Sequence, residues 1–162
     1  METTTQSNLL VTMVLMAWDA QNTHLNKLIS SLTDEQLAKE TAPGKNTGIY
    51  LLGHLIAVSD GMLPLLGFAD RLFPEMEEVF IKHPDKAGQV FPSVAELKQR
   101  LDIVNTKLIS HFRATDVQGW FARHSAVSPE DFVKEPHRNK LNVVINRTGH
   151  MAYHIGQIRF LN

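Results

Sequence analysis

Two histidines near the C-terminus, His150 and His154, are four positions apart. At about 100° per residue, this spacing leaves the two side chains roughly 40° apart on one face of a helix, one turn from each other. Two imidazoles in this arrangement can bind one divalent metal ion. The glutamate of the metalloprotease motif is absent, because Met151 follows His150. The pair therefore predicts a metal site only if a third ligand comes from elsewhere in the chain.

His54 is the main candidate for that third ligand. It lies within residues 47–68, where Asp60 is the only charged side chain, so its imidazole is expected to be buried or half-buried. For a single histidine, the simpler interpretation is a neutral core residue that forms a hydrogen bond with a neighbouring group. With two further histidines on another sparsely charged helix, a shared metal ion becomes the better hypothesis, because it satisfies the lone pairs of all three rings.

The spacing of apolar residues predicts four long helices, over residues 7–32, 47–63, 94–112 and 139–161. Pro64 is expected to kink or end the second helix. Two long connections, 67–92 and 115–138, separate the remaining helices, and no segment shows the alternation typical of strands. The sequence therefore predicts an all-α fold and favours a four-helix bundle. In this bundle the second and fourth helices form the inner pair, and the first long connection is a crossover.

Four further residues can contribute to a pocket around the three histidines. In the first helix, His24 belongs to an apolar stripe with Leu10, Met13, Ala17, Ala20 and Leu28, so it can point towards the same centre. A buttressing core histidine is the favoured role for His24, and a fourth ligand or substrate contact is the alternative. Tyr50, Tyr153 and Gln157 lie within about one turn of a histidine. Packing or helix capping is the favoured role for these three residues.

Composition limits the class of protein. A chain of 162 residues with 43% hydrophobic and 20% charged residues is typical of one globular domain, here taken as 1–162. The net charge of −1 provides no basic excess for nucleic acid. The absence of cysteine excludes thiolate ligands and disulfides. The polar N-terminus and the lack of an apolar run of about 18 residues predict a cytoplasmic protein that is not a membrane protein.

The segment Tyr50-Leu51-Leu52-Gly53-His54-Leu55 is followed near the C-terminus by Gly149-His150-Met151-Ala152-Tyr153-His154-Ile155-Gly156-Gln157-Ile158. Together the two segments resemble the DinB family, also called DinB/YfiT-like metalloenzymes, and the resemblance extends over nearly the whole chain. It implies a four-helix bundle of crossed topology. It also implies a divalent metal ion, nickel or zinc, held by His54, His150 and His154. Related bundles often associate, so a homodimer is a further expectation.

Characterised members of that family include thiol-dependent transferases and isomerases, which use low-molecular-weight thiols such as bacillithiol or mycothiol, and metal-dependent hydrolases. The resemblance therefore implies an enzyme that activates water or a small thiol against a small electrophilic substrate. Three neutral ligands suit this chemistry, because they leave the ion its full charge and open positions. The alternative is a non-catalytic stress-related or interaction protein with a structural metal. This view is supported by the lack of an Asp or Glu beside the three histidines in sequence.

Overall fold

The computed structural model describes residues 2–162, with side chains from residue 5 onward, and it is helical without any strand in that range. This confirms the all-α class. The α-helices are, in chain order, α1 (Glu2–Ser31), α2 (Asp34–Leu37), α3 (Gly48–Asp60), α4 (Met62–Leu65), α5 (Glu75–Glu77), α6 (Val94–Ala114), α7 (Val117–Phe121), α8 (Pro129–Lys134) and α9 (Lys140–Ile158). A π-helical turn (Glu78–Lys82) follows α5, and a 3-10 turn (Arg159–Leu161) follows α9.

Polar side chains define where the helices begin. Thr47, Ser93, Ser128 and Asn139 each precede a helix, and each side-chain oxygen accepts a hydrogen bond from the backbone N–H three residues later. Such bonds satisfy N–H groups that have no partner within the first turn of a helix. Of the four helix starts predicted from the sequence, those at 47, 94 and 139 are confirmed to within one residue, whereas α1 begins at Glu2, five residues before the predicted start at 7. α3 ends at Asp60, three residues before the predicted end at 63, and a separate turn, α4, continues through Pro64. An interruption near Pro64 was expected, because Pro64 has no N–H to donate to the Asp60 carbonyl.

α3 is the most deeply buried helix, and it packs against both α6 and α9, while α1 packs against α9. Its only charged residue, Asp60, is fully buried. The Asp60 carboxylate accepts hydrogen bonds from the backbone N–H groups of Leu72 and Phe73, at 2.8 and 3.1 Å. These bonds compensate for the removal of the charge from water. They also attach the connection after α4 to the end of α3.

By length and composition alone, one stretch, Gly48–Leu65, could cross a membrane. In the structure, 67% of this stretch is buried inside the protein, where its apolar side chains contact other helices. Buried core helices pass the same test of length and hydropathy, so the stretch is weak evidence for a membrane span.

The connection 67–92 is more ordered than the sequence indicates. It contains α5 and the π-helical turn, and the π-helical turn places the ring of Phe80 against α3. Phe80 is fully buried and packs against the rings of Tyr50 and Phe91. The ring also occupies the space beside Gly53, where any Cβ atom would overlap it. Glycine at position 53 therefore allows the connection to lie directly on α3.

Of the apolar stripe predicted for the first helix, only Leu28 is buried. Leu10, Met13, Ala17, Ala20 and His24 are exposed, whereas the side chains that face the core are Val11, Trp18, Leu25, Leu28 and Ile29. α1 thus has two apolar stripes, and three-and-four spacing alone does not distinguish between them. The buried stripe has the larger side chains, which remove more apolar surface from water.

The expectation of an inner helix pair holds for α3 but not for α9. One side of α9 is buried through Val144, Met151, Ile155 and Ile158, while the opposite side faces solvent. Three of the exposed positions of α9, Gly149, Ala152 and Gly156, are small residues that would bury little apolar area.

Candidate metal centre

The three histidines singled out from the sequence lie together between α3 and α9. His54 comes from the middle of α3, and His150 and His154 come from successive turns of α9. The Nε2 atom of His150 is 3.3 Å from Nε2 of His54 and 3.0 Å from Nε2 of His154. One ring nitrogen from each residue lies within 4.8 Å of the others, and all three side chains are half-buried. The structure therefore provides three nitrogen donors directed at one point.

A backbone carbonyl fixes the orientation and tautomer of His54. The Nδ1 atom of His54 lies 2.8 Å from the carbonyl oxygen of Phe80. A carbonyl only accepts hydrogen bonds, so Nδ1 carries the proton and donates it. The proton-free Nε2 atom of His54 then directs its lone pair towards the other two histidines. The π-helical turn thus supports the centre through its main chain.

Gln157 has the corresponding role for His154. The Nδ1 atom of His154 donates a hydrogen bond to Oε1 of Gln157 at 2.7 Å, and Nε2 of Gln157 donates to the hydroxyl of Tyr153 at 3.3 Å. With Nδ1 protonated, Nε2 of His154 also presents a lone pair. Metal-binding histidines commonly donate the other ring N–H to such a supporting group, which orients the ring and makes the ligand nitrogen more basic.

The donor set fits a divalent metal ion. Nε2 atoms of His54 and His154 both point lone pairs at His150, whose single Nε2 proton could satisfy only one of them. For Nε2 of His150 to offer a lone pair as well, the ring proton must be on Nδ1, a buried atom without a hydrogen-bond partner within the described range 2–162. A tetrahedral zinc ion with Zn–N bonds of about 2.0–2.1 Å needs ligand nitrogens roughly 3.3 Å apart, close to the observed Nε2 separations. One cation would satisfy all three lone pairs.

Burial keeps these histidines neutral, which is the form that binds metal. It lowers the pKa of all three rings, because removal from water disfavours the charged form. The pKa of His150 falls to about 4, first through burial and then through the positive charges that His154, His54 and Arg147 carry or acquire. The hydrogen bonds from His54 and His154 to their acceptors oppose the lowering of the pKa at those two residues.

Arg147 was not predicted from the sequence, although its position gave a signal. It precedes His150 by three residues and His154 by seven, so all three lie on the same face of α9. Its positive charge lowers the pKa of both His54 and His150. The side chain is half-buried, and it has no ion pair or hydrogen bond with any residue in the described part of the chain. Burial lowers the pKa of Arg147 itself.

The other sequence candidates occupy different positions. Tyr50 stacks near His54, with ring centroids 6.3 Å apart, and its hydroxyl donates to the carbonyl of His83 at 2.8 Å. Tyr153 is 64% exposed, its ring lies edge-on to the ring of His154 with centroids 5.1 Å apart, and its hydroxyl accepts a hydrogen bond from Gln157. His24 does not face the centre, because it lies on the exposed stripe of α1. It lines a groove with Lys27 and Arg159 at the ends of α1 and α9.

The lowered pKa of His150 predicts how the stability of the metal-free protein depends on pH. In the unfolded chain this histidine binds a proton near its ordinary pKa of 6.5, but in the folded protein only near about 4. Between these values the unfolded chain holds more protons, so the free energy of unfolding should fall as pH decreases from 6.5 towards 4. Thermal melts with a chelator present, comparing wild type with His150→Leu, isolate this contribution. An equal slope for both proteins in that window would contradict the prediction.

Comparison with known families agrees with the geometry. No curated protein shows significant sequence similarity to the chain. The family model of the DinB superfamily, whose members are associated with metal ions, matches residues 17–158. This match includes α3, α9, the three clustered histidines and Gln157. By sequence over most of its length, the chain belongs to the DinB superfamily.

Proposed function

We propose that this protein is a metal-dependent enzyme that uses His54, His150 and His154 to hold one divalent ion, and that it activates a small thiol or water against a small electrophilic substrate. The convergence of the three Nε2 atoms is the observation that carries the proposal. Nitrogen donors of this kind suit nickel and zinc among the available divalent metals. When bound there, such an ion supplies Lewis-acid chemistry and lowers the pKa of a thiol or water that coordinates it.

The surrounding architecture is part of the same proposal. We infer one domain over residues 1–162, a four-helix bundle built from α1, α3, α6 and α9. The packing of α3 against α6 and α9, and of α1 against α9, supports a crossed topology. Helices that follow each other along the chain, α1 and α3, then occupy opposite corners. This arrangement allows α3 and α9 to share the metal centre.

The protein groups around the centre favour a thiol over water as the nucleophile. The group of residues able to hold the ion consists of histidines alone, without a carboxylate, in the described part of the chain. Hydrolysis generally uses a general base or acid to move protons, and carboxylates or free histidines fill that role. A thiol has an ordinary pKa of about 8.5, so it loses its proton far more easily than water does. A thiol transferase is therefore the first choice and a hydrolase the second.

Arg147 is the group best placed to select an anionic reactant. Its charge is half-buried beside the histidines and unpaired among the described residues. A carboxylate or thiolate near this guanidinium would gain a charge-assisted hydrogen bond in a partly desolvated position. In the proposed reaction, the thiol sulfur forms a bond to the electrophilic carbon, the leaving group departs with the bonding electron pair, and the thiol proton passes to solvent.

We propose that the reactants are small molecules in the cytoplasm and that the protein binds neither nucleic acid nor a membrane. The nearly balanced charge of the sequence supports this choice, because it offers no excess of cations to collect phosphate groups.

The deciding experiment measures metal-dependent rates on thiol-plus-electrophile pairs, esters and amides. Wild type loaded with nickel or zinc should react with at least one thiol pair, and His150→Ala should lose this activity.

Arg147→Met should retain the metal but raise KM for anionic reactants, and Arg147→Lys should have an intermediate KM. If no pair reacts although the protein is loaded with metal, the enzyme proposal is wrong and a structural role for the metal is the better explanation.

A further inference from the structure

We propose that a groove between α1 and α6 binds a small amphipathic zwitterion, namely an α-amino acid with a large apolar side chain. The site, called here the α1/α6 groove, is defined by residues of both helices: Leu15, Met16, Trp18 and Asp19 of α1, and Ile109, Phe112 and Arg113 of α6. None of them belongs to α3, α9 or the connection 67–92, which form the metal centre. The proposed binding is therefore independent of the proposed catalysis.

The α1/α6 groove is a space that the packing of α1 leaves open. α1 packs extensively against α9, whereas its contact with α6 is more limited. The rings of Trp18 and Phe112 bridge the two helices, edge-on with centroids 5.9 Å apart. Both rings are almost fully buried, so they form the floor of the groove. The volume above this floor is about 290 Å³, at the lower end of the range of about 300–1,000 Å³ for small-molecule pockets. The groove thus suits a small molecule rather than the two acyl chains of a phospholipid.

The walls of the α1/α6 groove are apolar. Met16 is 67% exposed, and Leu15 and Ile109 are half-buried. Removal of this surface from water by an apolar ligand is favourable. The methionine side chain is unbranched and flexible, so it can adapt to the shape of a ligand. The walls therefore favour a ligand with a large apolar part.

Two charges of opposite sign border the same groove, one from each helix. Asp19 comes from α1 and Arg113 from α6. Both side chains are exposed, and neither forms an ion pair or a hydrogen bond with any residue in the described part of the chain, including each other. The guanidinium group of an arginine can donate two parallel hydrogen bonds to a carboxylate, and an ammonium group can donate to an aspartate. An α-amino acid carries both of these groups beside its side chain.

A ligand with a single charge is a poorer match for the α1/α6 groove. A carboxylate alone would be attracted by Arg113 but repelled by Asp19, and an amine alone would experience the reverse. A small zwitterion without an apolar part would leave the walls in contact with water. The chemistry of the groove thus favours an amino acid such as phenylalanine, leucine or methionine.

Calorimetric titration with phenylalanine tests the site directly. Wild type should bind phenylalanine in a saturable manner, and removal of metal should leave the Kd of this event unchanged, because the groove contains no part of the metal centre. Amino acids can also coordinate a metal ion. His150→Ala, which lacks the central ligand, should therefore bind phenylalanine with the same Kd as wild type.

Phenylalanine analogues identify the role of each charge. Arg113→Gln and Asp19→Asn should each raise the Kd of phenylalanine by about fivefold or more, because each removes a charge-assisted hydrogen bond. Arg113→Gln should not weaken the binding of phenethylamine, which has no carboxylate. Asp19→Asn should not weaken the binding of phenylpropionate, which has no ammonium group.

The matched controls are Lys107→Gln and Asp102→Asn. They remove the same two charges from exposed positions of α6 that border a different part of its surface, outside the α1/α6 groove. Both variants should bind phenylalanine with the Kd of wild type.

A direct ion pair between Asp19 and Arg113 is the competing explanation for the two charges. The proposal expects Arg113→Gln, Asp19→Asn and the double variant to have nearly the free energy of unfolding of wild type, because neither charge has a partner in the free protein. Chemical denaturation without ligand measures this. If each single variant were destabilised and the double variant no more than either, the two residues would pair with each other, and the proposal would be wrong.

Three further results would overturn the site. The first is the absence of saturable binding of phenylalanine, leucine and methionine at millimolar concentrations. The second is binding that neither Arg113→Gln nor Asp19→Asn weakens, which would place the amino acid elsewhere. The third is flotation with phosphatidylcholine vesicles that depends on Asp19 and Arg113, which would assign the groove to a lipid headgroup. None of these results would affect the metal centre or its activity.

Discussion

Replacement of His150 by alanine should remove tight binding of a divalent metal ion. His150 is the shared neighbour of the other two histidines, with Nε2 atoms 3.3 and 3.0 Å away. Loss of a group that merely supports a ligand typically lowers metal affinity by about 10–100-fold, so loss of the central ligand should cost more. Where metal is present at about 100 times its dissociation constant, wild type should also lose about 2.7 kcal/mol of stability on chelation, and His150→Ala should lose almost none.

Metal analysis of untagged protein and competition with a fluorescent chelator measure this difference. Gln157→Leu should fall between wild type and His150→Ala, because it removes only the hydrogen bond that orients His154. His24→Ala is the matched control, since His24 is exposed on α1 and lies outside the centre. Equal metal affinity of wild type and His150→Ala would show that the three histidines do not form the binding site.

The centre could be found from the sequence because its ligands obey local rules. His150 and His154 share a face of any helix, and His54 is conspicuous in a segment with almost no other polar side chain. Gln157 could also be identified as a candidate from the sequence, since it lies one turn from His154. The sequence also places Arg147 on the same face of α9. Arginine is not a metal ligand, however, so the pattern of ligand types did not indicate it.

The support from Phe80 could not be predicted in the same way. The hydrogen bond to His54 comes from the main chain of Phe80, and a backbone carbonyl leaves no mark in the sequence. It depends on a π-helical turn in the connection 67–92, where proline and glycine residues indicate an irregular loop. The exposed stripe of α1 was misassigned for a related reason. Spacing identifies an apolar stripe, but burial of Trp18 on the other side depends on the position of α6, which spacing does not specify.

The contact between Phe80 and Gly53 links the stability of the fold to the metal centre. The Phe80 ring is fully buried beside α3 and fills the space where a Cβ of residue 53 would lie. The carbonyl of the same residue orients His54. A change in the position of this ring should therefore alter both the free energy of unfolding and the affinity for metal.

Phe80→Ala should destabilise the protein by about 3–5 kcal/mol, the usual cost of removing a buried phenylalanine ring. Gly53→Ala should also destabilise, because the new methyl group would overlap the fully buried Phe80 ring and displace it. Overpacking costs about 1–3 kcal/mol, which exceeds the gain of about 1 kcal/mol from replacing glycine by alanine in a helix. Both variants should bind metal more weakly than wild type, since the Phe80 carbonyl moves relative to His54.

Chemical denaturation of the two single variants and the double variant should show that the effect of Gly53→Ala on the free energy of unfolding changes sign. Once Phe80→Ala has removed the ring, the methyl group of Gly53→Ala has open space, so the second substitution should then stabilise the protein by up to about 1 kcal/mol. If Phe80→Ala is too unstable to measure, Phe80→Leu can replace it in the comparison. In that background Gly53→Ala should stabilise the protein less. If Gly53→Ala changed the free energy of unfolding equally with and without the Phe80 ring, the ring would not occupy the space beside Gly53. The proposed coupling between the connection 67–92 and His54 would then be wrong as well.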